Sequence, residues 1–588
     1  MCGLAGWLCV PQMAPEPELL DRMLAAIQHR GPDDRGDYRD AKHGVALGHL
    51  RLSIIDLSAA SHQPMRDVAS GVTLVYNGEI YNFRELRAEL QSLGHTFDSR
   101  GDTEAVLRSF LQWGCDSFTR LMGMFAIVVW DPRSSTLHLA RDPLGMKPLY
   151  FASLSGGMAF ASEVKAFKTL PGFQLRPSPL GLQQYIEFGY IFDENQTIFE
   201  GVSKLPPGCH ALVRTGEAPT IRRYFTPRPP GEVEQCDEES RLDELYATLS
   251  VVTAQHLVAD VPIGLLLSGG LDSSLIAALA ARHVPVLAVS MGFADSGVDE
   301  RLHARRLAEY IGANYVDVTI TPQDVMDEVT AGAWVFDDLF ADWGTLTTRL
   351  MYRRCRERGI KVVLVGEGAD ELFGGYDTFR AAGQLRLWQQ FRLYQQYSSR
   401  RHGSLFSQFR HSLSEYLETE SRDAFEVVRQ FESTRQLPNN YLMKVDKASM
   451  AEGVEARAPY LDRRVAELAW RTPREWLLRN GENKYLLREL GRRRRLLPPA
   501  TTQRAKFGAS IASTWMDDHR PFRQFARERV LDGTWAKRLA LRPAMIDYFD
   551  NDRQGYAWPR GLSILQHLAW RLLLLEMWAP HYMQEGAA

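Results

Sequence analysis

Apolar residues recur at two different spacings along this chain. In the first third they form short runs of about four to eight positions bounded by turn residues, the pattern of strands. "GVTLVYNGEIYN" (71–82) reads as an apolar strand running into Asn77-Gly78, a turn dipeptide. "MFAIVVWD" and "TLHLARD" read as two strands joined by a turn at "PRSS", and "PLYFA" with "GMAFASE" as another hairpin. "NFRELRAELQSLG" has the apolar spacing of an amphipathic helix, stopped by Gly94. This third is therefore α+β and rich in antiparallel pairs. "TPRPPGEVEQCDEES" (226–240) is rich in Pro and acidic residues and reads as extended and exposed. Beyond it buried strands alternate with helices: "VPIGLLLSGG", "VPVLAVSMGF", "NYVDVTI" and "IKVVLVGEG" are strands, with helical patterns between them. That alternation predicts a parallel sheet covered on both faces, with ligands at the carboxyl ends of its strands.

Composition narrows the class. With 588 residues the chain is too long for one ordinary core. At 45% hydrophobic and 24% charged it has the balance of a soluble globular protein, and a net charge of −3 argues against nucleic acid as a partner. The six cysteines form no CxxC pair, so neither a zinc site nor a disulfide framework is indicated, and a reducing cytoplasm fits. The amino terminus has no secretory pattern. "LSILQHLAWRLLLLEMW" is interrupted by Arg571 and Glu576 and reads as a buried closing helix, so no membrane partner is expected. The basic run "GRRRRLLPP" reads as a local helix end.

Chemistry begins at "MCGLAGW". Removal of Met1 would leave Cys2 with a thiol and a free α-amine on one residue, nucleophile and general base together. Alone, Cys2 could be merely a second codon. Arg51 could be a rim ion pair, Asn77-Gly78 a plain turn, and Asp102 a helix N-cap. Together, "MCGLAGW", "HRGPDDRG", "LGHLRLSIIDL", "YNGEIYN", "GDTEAVL", "MFAIVVWD" and "ARDPLGMKPLY" resemble class II glutamine amidotransferase domains over the whole first third. The resemblance implies Cys2 as the nucleophile that releases ammonia from glutamine. It implies Asn77 and the Gly78 N–H as oxyanion donors, Arg51 for the glutamine α-carboxylate, and Glu79 and Asp102 for its α-ammonium.

In "SGGLDSS" (268–274), Ser268, Gly269 and Gly270 let backbone approach an anion, and Asp272 and Ser273 open a helix whose first N–H groups bind phosphate. No GK[ST] follows, so this is not a Walker loop. In "GEGADELFGGY" (366–376), Glu367, Asp370 and Glu371 crowd one strand end, which calls for a proton or a cation; Mg²⁺ suits carboxylates plus phosphate oxygens. An acidic helix start is the plain alternative. With "MKVDKASMAEGVEARAPYLD" (443–462) and "TTQRAKFGAS", the order is similar to the synthetase domain of the glutamine-dependent asparagine synthetase family. That resemblance implies an N-terminal-nucleophile αββα sandwich over 1–217, a linker over 218–239, and an α/β ATP pyrophosphatase-type domain with a helical C-terminal part over 240–588. It implies ATP against Leu266, Ser268, Gly269, Gly270, Leu271, Asp272, Ser273, Met291, Val365 and Gly366. Asp272 and Asp370 would hold Mg²⁺, Glu367 would be the acid/base group, and Lys506 would contact phosphate.

The implied activity is glutamine hydrolysis coupled to amidation of a carboxylate, with AMP and pyrophosphate released. Aspartate is the expected acceptor, and the partners are small molecules, with a homodimer left open. A tRNA-modifying enzyme would leave the first third without a role, a β-lactam-forming or peptide-cyclising relative would lack Cys2, and a storage protein would have eroded motifs. Two departures from the family pattern stand out. Val365 replaces a hydroxyl-bearing residue, and Trp343-Gly344 replace Pro-Ser in "FDDLFADWGTLTTRL". Trp343, suited to stacking, and Arg457, suited to a carboxylate, are the acceptor candidates; a larger carboxylate such as a uronate is the alternative acceptor. The aromatic, basic stretch 379–403 reads as a packed helix pair.

Overall fold

The computed structural model describes residues 2–154, 156–226, 236–294, 300–384, 424–504, 511–550 and 564–583. Its first domain contains β1 (Gly3–Cys9), β2 (Asp34–Asp40), β3 (Val45–Arg51), β4 (Met65–Arg66), β5 (Thr73–Ile80), β6 (Gly123–Asp131), β7 (Thr136–Arg141), β8 (Tyr150–Leu154), β9 (Gly157–Ala161), β10 (Val202–Lys204), β11 (Cys209–Val213) and β12 (Thr220–Arg223). They form two six-stranded antiparallel sheets, ordered β10-β8-β9-β1-β3-β2 and β12-β11-β7-β6-β5-β4. Leu4, Leu47, Val75, Val128, Trp130 and Phe160 fill the space between the sheets. Leu19, Leu20, Met23 and Leu24 of the helix Glu18–Ala26 bury its apolar stripe in the core that also takes in Ala5, Trp7 and Ala46 of the first sheet. Helices Phe83–Ser92 and Asp102–Trp113 bury Phe83, Leu86, Val106 and Phe110 against the second. Helix, sheet, sheet and helix layers make the expected αββα sandwich.

Two details differ from the expectation. The strand β5 does not turn at Asn77-Gly78; it continues to Ile80, with Asn77 opposite Ala126 and Gly78 opposite Phe125. Gly78 serves close approach rather than a turn, since a Cβ there would lie 2.1 Å from the Met124 carbonyl oxygen. The first domain also runs past 217. β12 is the edge partner of β11, so residues 220–223 belong to the second sheet and not to a linker.

The second domain adds β13 (Ile263–Leu266), β14 (Leu287–Phe293), β15 (Asn314–Ile320), β16 (Val362–Leu364) and β17 (Glu455–Arg457), all parallel, in the order β15-β14-β13-β16-β17. The closing helix, Ile564–Tyr582, is interrupted in its apolar pattern because it bridges domains. Arg571 donates to the carbonyls of Ile186 and Glu187 at 2.8 and 2.7 Å, meeting the orphan carbonyls at the end of helix Pro179–Phe188. No helix among the described residues is long and apolar enough to cross a membrane.

Candidate functional site: two sites joined by a buried interface

Cys2 precedes β1 at the edge of the sandwich core and is 7% exposed. Its backbone nitrogen donates to Asn77 Oδ1 at 2.8 Å, and Arg30 Nε donates to its carbonyl at 3.2 Å. That bond fixes the Asn77 amide, whose Nδ2 is buried and makes no hydrogen bond. An amide N–H₂ held beside a thiol and without a partner is a preorganised donor for developing negative charge. Burial pushes the Cys2 thiol pKa up, while the amino terminus and Arg51 pull it back. Arg51 closes a loop by donating to the carbonyls of Asp56 at 2.5 Å and Ser58 at 3.1 Å. Asp102 is the first residue of its helix rather than its cap, which is Gly101, and its Oδ2 accepts from Tyr76 Oη and from the Ile80 N–H. Glu79 accepts from Arg457 through Oε2, and its Oε1 is buried without a hydrogen-bond partner.

At the carboxyl ends of β13 and β16 the Gly-rich loop and the acidic loop meet. Gly269 has φ +70°, and a Cβ there would come 2.7 Å from the Ala304 nitrogen, so a left-handed glycine is required. Gly270 precedes helix Leu271–Ala280, whose start has no side-chain cap. The Ser268 and Ser273 hydroxyls lie 3.0 Å apart across the turn. This leaves helix N–H groups facing outward, as anion binding needs. Leu266 and Met291 sit on the adjoining strands, and buried Val365 donates its N–H to the Arg457 carbonyl. A Cβ on Gly366 would lie 2.9 Å from the Ser273 nitrogen, which brings the two loops together.

Asp272 and Asp370 converge on the Lys484 ammonium, at 2.5 and 2.7 Å. Gly375 makes room for it, because a Cβ there would be 2.1 Å from Lys484 Cε. Burial lowers the Lys484 pKa, but the two carboxylates overcome it and hold the ammonium charged. Lys484 is the site residue that sequence reasoning missed. It stands in "GENKYLLRE" with a left-handed φ of +55°, and nothing local in the sequence points from it to acids more than a hundred residues upstream. The two carboxylates offer an all-oxygen donor pair that could hold a hard divalent cation together with phosphate oxygens. Among the described residues no three His, Cys, Asp or Glu side chains gather into a metal cluster. Burial raises the Glu367 pKa, Asp272 and Asp370 add to it, and Lys444 opposes it. Glu367 is thus a carboxyl suited to carry a proton. Lys506 lies outside the described residues, as does most of the stretch 379–403.

The two acceptor candidates are both engaged by other parts of the chain. Trp343 is 9% exposed, donates its N–H to His567 Nδ1 at 3.1 Å and stacks on Trp570 with centroids 4.6 Å apart. Its ring is part of the packing under the closing helix. Arg457 is fully buried at the boundary between the domains, beside Glu79.

A buried cysteine bonded to Asn77 in one domain, and a glycine-rich loop beside two converging carboxylates in the next, fit one class, the glutamine amidotransferases joined to an ATP-using synthetase. Residues 1–225 match the family model for the glutamine amidotransferase domain, and residues 244–580 match that for asparagine synthase. The chain belongs to the glutamine-hydrolysing asparagine synthase family, and it is an ATP-dependent amidotransferase ligase. It is 34% identical to a putative glutamine-hydrolysing asparagine synthetase of Mycobacterium tuberculosis, over 83% of this chain and 84% of that one. It is 30% identical to asparagine synthetase 1 of Bacillus subtilis, over 87% of each. It is 31% identical to the amidase chry2 of Gibberella zeae, over 65% of this chain and 60% of that one.

Proposed function

We propose that the chain converts aspartate to asparagine, taking nitrogen from glutamine and forming AMP and pyrophosphate from ATP. The observation that carries this reading is the extent of its similarity to relatives named asparagine synthetase, which runs through both sites. Cys2, freed of Met1, attacks the glutamine carboxamide carbon. Its own α-amine takes the thiol proton, and Asn77 Nδ2 with the Gly78 N–H receives the oxyanion. Arg51 binds the α-carboxylate of glutamine, and Glu79 with Asp102 binds its ammonium. In the second domain the Gly-rich loop holds the triphosphate, and Asp272 and Asp370, which also bind Lys484, would hold Mg²⁺, which would neutralise charge on the phosphate oxygens. Glu367 handles the proton as ammonia attacks the activated acyl carbon, and Lys506 contacts phosphate.

A small cavity, with room for about one water-sized molecule, is lined by Met146, Leu149, Lys204, Leu442, Met443 and Asp446 and draws on both domains. Asp446 also accepts from Arg30, which donates to the Cys2 carbonyl. We place the ammonia route there. The larger-carboxylate alternative loses its motive, since the Trp343 ring face and N–H are both engaged by the closing helix. The experiment is a panel of carboxylates scored by glutamine-dependent AMP release, with Cys2→Ala as control. Saturable release with aspartate is expected from the wild type, and from Cys2→Ala only when ammonia is added. ADP as the product, or silence with aspartate alone, would overturn the assignment.

A further inference from the structure

Arg457 looks, from its position in "GVEARAPYLD", like a residue of the second site. Its contacts point the other way. Nε donates to Glu455 at 2.5 Å, and Nη1 donates to the carbonyls of His256 and Val258, each at 2.8 Å. Those partners all belong to the second domain and fix the guanidinium plane. The remaining direction, through Nη2, reaches across the boundary to Glu79 Oε2 at 2.9 Å. Both side chains are buried, Arg457 completely and Glu79 to 4% exposure. Tyr81, two residues beyond Glu79, docks on the same place by stacking on His256 at 3.6 Å.

One oxygen of Glu79 is therefore tied down, and the other, Oε1, is buried and has no hydrogen-bond partner among the described residues. A buried carboxylate oxygen left unpaired keeps its full desolvation penalty unless a ligand meets it. Glu79 and Glu455 both bind the one guanidinium, and Asp102 acts on Glu79 as a further acid, so a further cation is accommodated at low cost. Asp102 Oδ2 is already met by Tyr76 and Ile80, and of the two acids it is Glu79 that keeps a buried, unmet oxygen among the described residues.

We infer that Arg457 is a positioning residue for glutamine: from the second domain it clamps one oxygen of Glu79 and so presents the other to the substrate's α-ammonium. The inference rests on the glutamine-hydrolysing reading of Cys2 and its pocket. It makes recognition of the amino group depend on docking of the two domains. It also links the pocket to the acidic loop, because the Arg457 carbonyl accepts from the Val365 N–H, one residue before Gly366-Glu367.

The test uses the full chain and compares L-glutamine with glutaramate, the same amide without the α-amino group, by ammonia release. A Lys in place of Arg keeps the charge and loses the fork geometry. Arg457→Lys should raise KM for glutamine about 10- to 100-fold, the worth of a charge-assisted hydrogen bond, with kcat much less affected. Its preference for glutamine over glutaramate should shrink by a similar factor, because the analogue never used Glu79. In a Glu79→Gln background the same substitution should leave that preference unmoved. An Arg457→Lys chain that loses activity equally on both amides, or one whose effect persists in Glu79→Gln, would reduce Arg457 to a structural bolt and overturn the inference. A wild-type chain that hydrolyses neither amide would remove the underlying reading as well, and is told apart because no variant is then needed to see it.

Discussion

Lys484 and Asn77 illustrate what a side chain's surroundings decide. Asn77 was legible because its neighbours in sequence, Gly78 and Glu79, work with it in the same pocket. What the sequence did not reveal is that this triplet lies inside a strand, where Gly78 is needed by the facing carbonyl of Met124. Lys484 was not legible, because its meaning lies in Asp272 and Asp370, which are brought to it only by the sheet. The shared ammonium offsets part of the repulsion between the two carboxylates, and in the proposed reaction it lowers the negative charge that a phosphate meets there. Lys484→Met should therefore lower amide formation at least about 10²-fold, as loss of one preorganised charge at a transition state does. Glutamine hydrolysis should survive, since Cys2 is served by other residues. Parallel assays of AMP and glutamate release check this. Loss of both activities together would mean that Lys484 holds the fold rather than the chemistry.

Among the elements, strands with long apolar runs were easy to read, and the edge strand β17 was not. β17 has only Glu455, Ala456 and Arg457, with two charges in three residues, and no alternation marks it as the edge of a parallel sheet. Its charged side chains are buried because another domain covers that edge, a tertiary fact that propensity cannot carry. Trp343 gives the opposite lesson. A departure from the family pattern suggested a ligand-stacking role, yet the compensating partners, His567 and Trp570, stand more than two hundred residues later on the closing helix. Trp343→Phe keeps an aromatic ring on Trp570 and leaves the half-buried His567 nitrogen without its donor. It should cost about 1–3 kcal/mol of stability and leave KM for the acceptor unchanged. Urea unfolding and an acceptor titration on the same preparation separate the two effects. A rise in acceptor KM without loss of stability would return Trp343 to the acceptor pocket.

The two domains meet through buried charge. Arg30 binds Glu163 at 2.7 Å and Asp446 at 2.9 Å, Lys147 approaches Asp446, and Arg457 joins Glu79 to Glu455. Such pairs give register rather than net stability when both partners are buried, and breaking one partner is costly. Their acid response follows from the groups that cannot take up protons in the folded state. Burial holds His256, at this interface, and His49, beneath Asn77, down to about 3, well below an unfolded value near 6.5. Each therefore contributes stability that is whole above about pH 6.5 and falls as pH drops toward 3, by about 2 kcal/mol per group at pH 5. For Glu455, burial raises the pKa, but the amino terminus and Arg457 overcome it and bring it to about 2. Its contribution is whole above about pH 4.5 and is lost between there and 2. Glu79 acts in the opposite sense, because burial and Asp102 keep its pKa above the ordinary value, whereas burial also holds the imidazoles of His138 and His567 down to about 4, in the same sense as His256 and His49. The urea midpoint should therefore fall clearly between pH 7 and pH 5, before any surface carboxylate titrates. Bound glutamine should narrow the fall, since its ammonium would keep Glu79 ionised and the interface docked. A midpoint that is flat over that range would mean that the neutral imidazoles are not what separates the folded from the unfolded chain, and that the docking of the two domains is insensitive to mild acid.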